Sequence, residues 1–175
     1  MKIPATILFL EFECLVNDYP ATCGKSENRE DHSRDVPRST VAYSSELLAK
    51  IIAPYGDDIG IVITDWIAIH APLDEFCRRL PACVANRVID SVYLEELTDS
   101  SWSDYHSALA TRYACIQLWL SRCRIDFTQN WLALDLGRQL DDWPKDKMEH
   151  LVCGFLSYPN VQHQLEQRLS NRKSL

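Results

Sequence analysis

The chain of 175 residues carries a formal net charge of -7, with 46% hydrophobic and 25% charged residues. That length suits one domain with one sizeable core, and that composition excludes disordered and fibrous classes. The acidity, with a pI of about 5.2, opposes an extended footprint on a nucleic-acid backbone, and no apolar stretch reaches the length of a membrane span.

Residues 3–12 are apolar at both alternating positions, with Ile7 and Phe9 opposing Leu8 and Leu10. A strand buried on both faces reads this way and belongs to a parallel sheet covered by helices. It ends in two acids, Glu11 and Glu13. In an open parallel sheet, ligands bind beyond the carboxyl ends of the strands, so both are candidate site residues by position.

Residues 17–40 are polar, charged and without periodicity, and predict a long loop reaching to about residue 42. Such a loop is either a lid or binding segment, here one fit to meet a protein partner, or disordered chain. A helix is expected from Ser44 or Ser45 to just before Pro54, with Leu47, Leu48, Ile51 and Ile52 on one face. Gly60 to Thr64 reads as a second short buried strand ending in a hydroxyl residue. Pro72 opens a helix bearing Leu73, Phe76, Cys77 and Leu80, and residues 87–92 read as a third strand.

After an acidic, irregular stretch at 94–104, a helix runs to about Ser121 with Leu109, Tyr113, Ile116 and Leu120 inward and Arg112 in its middle turns. Residues 131–135 form a fourth strand, 151–155 a weaker fifth, and Val161, Leu165 and Leu169 mark a last amphipathic helix. Strands alternating with helices predict an α/β fold: a three-layer α/β/α sandwich around a mostly parallel, Rossmann-like sheet, in a single domain over residues 1–175.

The seven cysteines are scattered, with no C-x-x-C spacing, so neither a disulfide framework nor a zinc site is indicated, and a reducing cytoplasm is the expected location. The five histidines show no ligand spacing and read as surface or capping residues. Arg168, Arg172 and Lys173 read as a solvated helix end.

A parallel sheet brings Glu11 and Glu13, Thr64 and Asp65, and Asp135 to one edge. Carboxylates so grouped fit Mg²⁺, and Arg112 on a neighbouring helix fits the phosphate oxygens of a bound ester. Each residue also has an ordinary structural role: strand end, backbone-bonded hydroxyl, helix cap, turn or surface charge.

The order of these features is similar to the haloacid dehalogenase-like (HAD) superfamily, and more narrowly to the small HAD domains associated with bacterial RNA-repair proteins. The stretches that carry the resemblance are ILFLEFECLV, SSELLAKIIAPYGDDIGIVITDW, LPACVANRVIDSVY, TRYACIQLWL and NWLALDLGRQLDDWP. The resemblance implies that Glu11 stands in the place of the nucleophile and Glu13 in that of the general acid and base. Thr64 and Arg112 take the phosphate-binding positions, and Glu11, Glu13 and Asp135 the Mg²⁺ ligand positions.

The chain departs from that pattern. Active members carry Asp at both positions of the first motif and usually Gly where Cys14 stands; the second acid expected after Asp135 is Leu136, unless Asp141 or Asp142 substitutes. The arginine expected after Trp66 is replaced by Ile67. Asp to Glu moves a carboxylate by roughly 1.5 Å, and a misplacement of about 1 Å costs on the order of a hundredfold in rate. The expectation is therefore a catalytically degenerate HAD-like domain, a pseudo-phosphatase serving as a binding, regulatory or structural module. The alternative is an active Mg²⁺-dependent phosphohydrolase acting through Glu11 and Glu13 on phosphate esters, whether small molecules or nucleic-acid ends.

Overall fold

The structure, a computed structural model, describes residues 4–15, 38–64, 73–92, 112–123, 130–137 and 143–172. The segments 17–37 and 94–104 lie outside them, as do Asp65, Trp66, Asp141 and Asp142.

Five short segments form the sheet: β1 (Thr6–Leu10), β2 (Ile59–Ile63), β3 (Val88–Ser91), β4 (Trp131–Asp135) and β5 (Leu151–Cys153). They pair in the order β3-β2-β1-β4-β5, and every pairing is parallel. Parallel neighbours need crossovers. These are supplied by α1 (Arg38–Ile52), the short α2 (Leu73–Cys77) and α3 (Ala82–Ala85), and α4, described over Arg112–Arg122. A closing helix, α5 (Pro159–Arg172), follows β5. The fold is α/β and Rossmann-like. No described helix is long and apolar enough to cross a membrane.

The apolar alternation in β1 is what makes it central. Leu8 and Leu10 join a core cluster with Leu48, Ile51 and Ile52 of α1 and Val161, Leu165 and Leu169 of α5. Ile7 and Phe9 join a second cluster with Ile116 and Trp119 of α4 and with Trp131 and Trp143. A strand with solvent on one side would alternate apolar and polar residues; this one has no polar face.

Gly60 in β2 is explained by crowding rather than by a turn. A Cβ there would stand 2.6 Å from Pro4 Cγ and 2.9 Å from Ile89 Cδ1, so Pro4 crosses the strand where only hydrogen fits.

Several sequence expectations change. Helix α1 starts at Arg38, six residues before the expected Ser44, so residues 38–42 are helical and not part of the loop. The run RSTVA lacks the apolar spacing that marks a helix in sequence, and the turn is instead a continuation of the amphipathic part behind it. His150 is also not a surface residue. It is 3% exposed, stacked on Trp131 at 4.2 Å between ring centroids, with Nδ1 2.8 Å from the Trp131 carbonyl oxygen. Arg172 packs beside it, its Nη2 3.2 Å from the same Nδ1, rather than extending into solvent.

Burial holds His150 below the ordinary histidine value of 6.5; the Trp131 carbonyl opposes this, Arg172 and Lys147 reinforce it, and Glu149 opposes it. The folded state thus favours the neutral ring. The His150 contribution is complete above about pH 6.5, where the unfolded ring is also neutral, and is lost as pH falls below that value and the unfolded chain takes up the proton first. Urea midpoints measured from pH 8 to pH 5 are expected to fall on acidification, with a shallower slope in His150→Gln.

Candidate functional site

The strand order places Glu11 and Asp135 at adjacent strand ends. From β1 the chain builds outward through β2 and β3, then returns to the other side of β1 to build β4 and β5, so the direction reverses between β1 and β4. Strand order reversal is where an open parallel sheet leaves a crevice at its carboxyl edge. Glu11 follows β1 immediately, Asp135 is the last residue of β4, and both are buried, at 4% and 8% exposure.

Backbone bonds fix both positions. Glu11 N donates to Leu134 O at 3.0 Å, extending the β1–β4 ladder by one residue, and Thr64 N donates to Leu10 O at 2.9 Å on the other side. The chain then turns sharply. Residues Phe12–Leu15 form a 3₁₀ turn closed by Cys14 N to Glu11 O at 3.0 Å. Glu13 lies on that turn and not on an extended strand.

Arg112 reaches this edge from α4. It precedes Ile116 by four residues and Trp119 by seven, so it continues the stripe that α4 presents to the sheet; Ile116 and Trp119 are both buried. Trp119 Nε1 donates to Asp90 Oδ2 at 2.7 Å and fixes the rotation of the helix about its axis. The guanidinium then bridges the two acids: Nη2 donates to Glu11 Oε1 at 2.7 Å and Nε to Asp135 Oδ2 at 3.2 Å.

The remaining carboxylate oxygens are held from the β4 end. Leu136 N donates to Glu11 Oε2 at 2.7 Å, and Gly137 N to Asp135 Oδ1 at 2.6 Å. Gly137 has φ of 73°, a left-handed conformation that side chains disfavour. This turn is what aims two consecutive N–H groups at the two acids. All four oxygens therefore accept charge-assisted hydrogen bonds, the stronger kind.

The structure thus brings together Glu11, Arg112 and Asp135. Thr64, 3% exposed, directly follows β2 one strand away. Among the described residues, no group of three or more His, Cys, Asp or Glu side chains is spaced to hold a metal ion. Glu11 and Asp135 converge on a guanidinium, whereas the sequence suggested convergence on Mg²⁺ with Glu13.

The residues present do not fit that ion. The guanidinium already occupies the point at which the two carboxylates converge, so a divalent ion would have to displace it and break both ion pairs. Nor do Cys115 and Cys153 offer a nucleophile. Burial pushes Cys115 up, against a lowering pull from Arg112; burial pushes Cys153 up, and Asp135 pushes it further. Both stay protonated at neutral pH, and thiols are poor nucleophiles.

Sequence reasoning selected all three members of the cluster but missed their relation. It gave Arg112 a phosphate as partner, because nothing local reveals a contact between residues 101 positions apart. The Leu136 and Gly137 amides carry no side-chain signal; the only hint was a glycine two residues after an acid at a strand end.

No family model, no curated protein and no solved structure matches the chain.

Proposed function

We propose that this chain is a catalytically idle, HAD-like domain retained as a binding, regulatory or structural module. The observation that carries this reading is the state of Glu11. Its carboxylate, in the place the resemblance gives to the nucleophile, is gripped at Oε1 by Arg112 and at Oε2 by Leu136 N, each at 2.7 Å.

A carboxylate nucleophile must present a lone pair in line with the phosphorus, and stabilising donors must face the transferring oxygens. Here the strongest donors face the nucleophile itself. The guanidinium, the group suited to draw a phosphoryl oxygen, is neutralised by two acids, and the extra methylene of Glu11 adds to the displacement.

The test is hydrolysis of an aryl phosphate across a range of Mg²⁺ concentrations. The expected result is no Mg²⁺-stimulated turnover above that of Glu11→Ala. Turnover that requires Mg²⁺ and vanishes in Glu11→Ala, while a surface variant such as Glu166→Gln retains it, overturns the proposal in favour of a phosphohydrolase.

A further inference from the structure

We propose that His150 and Arg172 form a pH-sensitive clasp: the neutral imidazole holds the last turn of α5 in place, and protonation of the ring lets that turn go. The clasp shares no residue with the Glu11, Arg112 and Asp135 cluster, and it stands whether or not that cluster is idle.

Three elements build it. His150 closes the 3₁₀ turn Lys145–His150 and is 3% exposed, its ring stacked on Trp131 of β4. Arg172 is the last residue of α5, three residues beyond Leu169, which carries the buried face of the helix together with Val161 and Leu165. As far as Leu169 that apolar face holds the helix, and Arg168 Nη1 adds a bond to the Met148 carbonyl at 2.8 Å. Past Leu169 polar contacts take over: Ser170 Oγ lies 3.2 Å from Tyr55 Oη, exposed to water, and Arg172 Nη2 lies 3.2 Å from His150 Nδ1. A chain end stays ordered only where it is tied down, so this turn responds most to a change at the ring.

The same nitrogen carries two contacts with opposite demands. The Trp131 carbonyl oxygen, 2.8 Å from Nδ1, only accepts, and the Arg172 guanidinium, 3.2 Å from it, stays charged and only donates. The carbonyl therefore needs a proton on Nδ1 and the arginine needs a lone pair there. A neutral ring can supply either, through its two tautomers; a protonated ring has no lone pair. Protonation leaves the ring satisfied without Arg172, because Nδ1–H faces the Trp131 carbonyl and Nε2–H faces Glu149 Oε1 across 3.6 Å. Arg172 is then a cation set against a cation. It also interacts elsewhere, but the conflict belongs to Nδ1 and does not depend on what else the arginine meets.

Among the described residues, the charged groups that act on the ring are Arg172 from α5 and Glu149 and Lys147 from its own turn; β4 faces it with the uncharged Trp131. Burial, Arg172 and Lys147 favour the neutral ring, while the Trp131 carbonyl and Glu149 favour the charged one, and the balance lies below the ordinary 6.5. Arg168 adds a like charge beside Arg172. The clasp is closed above that range and opens as pH falls through the folded-state value of the ring.

The experiment uses the full chain and the variants Arg172→Gln and His150→Gln. Nuclear magnetic resonance of the labelled histidine rings follows the titration of His150, and amide exchange, corrected for its intrinsic rate, compares residues 170–172 with 161–165 of the same helix. Between about pH 7.5 and about pH 5, wild-type protection at 170–172 is expected to fall at least about tenfold, the scale of one lost hydrogen bond to a charged group, while 161–165 changes less than about twofold. In Arg172→Gln, protection at 170–172 is expected to be low and flat over this range, and the His150 ring to titrate at higher pH than in wild type, since the coupling is reciprocal. In His150→Gln the pH dependence at 170–172 is expected to vanish. Three results overturn the proposal: a fall of equal size in His150→Gln, a His150 titration unmoved by Arg172→Gln, or a wild-type ring that becomes protonated with protection at 170–172 unchanged. A ring that stays neutral until the whole helix loses protection overturns it as well.

Discussion

Arg112→Ala is expected to destabilise the fold by about 3–5 kcal/mol, the cost of removing one partner from a buried ionic cluster. The reason is less the lost attraction than what stays behind. Glu11 and Asp135 are 4% and 8% exposed, and without the guanidinium two buried carboxylates lose the cation they share. Arg112→Lys is expected to fall between the two, keeping the charge but losing the geometry that lets Nη2 and Nε reach separate acids. Replacing the whole cluster at once, with Glu11→Gln, Arg112→Met and Asp135→Asn, is expected to cost less than Arg112→Ala alone, because no buried charge is then left unmatched. Urea denaturation of the four proteins checks the order.

Phe9→Ala is expected to be comparably severe, at about 3–5 kcal/mol, for an entirely apolar reason. Phe9 is 0% exposed in the central strand, and its ring meets Trp119 of α4 edge-on at 5.4 Å and Trp131 of β4 at 5.9 Å. One side chain thus joins β1, β4 and α4, and truncation leaves a cavity lined by two indoles whose surroundings are fixed by hydrogen bonds. Trp119 is tied to Asp90 and Trp131 lies under His150, so neither collapses freely into the gap. The change is measured as a drop in the urea midpoint, accompanied by loss of near-UV dichroism from the tryptophans. A loss under about 1 kcal/mol would place Phe9 outside the cluster that orders this face.

The fold was legible in the sequence because its strands are buried on both faces. Ile7 to Leu10 and Trp131 to Leu134 have no polar alternation, a pattern that selects a parallel sheet, and β4 spans Trp131–Asp135, the range read from the sequence. The termini of elements were less legible where polar residues are helical for reasons of continuity, as at Arg38 to Thr40. His150 was missed because its neighbours in sequence, Glu149 and Lys147, are charged and give no sign of a buried ring. What buries it is a tryptophan 19 positions earlier and an arginine 22 later.

At the site, position alone selected Glu11, Thr64 and Asp135 as candidates, since a parallel sheet must gather its carboxyl ends. The chemistry was not identified by position. Acid-x-acid after an apolar run is compatible with metal ligands and with partners for an arginine, and the choice depends on where α4 places Arg112. That placement comes from packing of Ile116 and Trp119 against the sheet and from the Trp119–Asp90 bond, none of which is local to β1.

Glu11 and Arg112 form one energetic unit at the carboxyl edge of the sheet. A double-mutant cycle with Glu11→Gln, Arg112→Met and the pair, read by urea denaturation, measures their coupling. The predicted result is a coupling above about 1.5 kcal/mol, within the range found for residues sharing a buried ionic network. Additivity to within about 0.5 kcal/mol, the behaviour of independent sites, would contradict it.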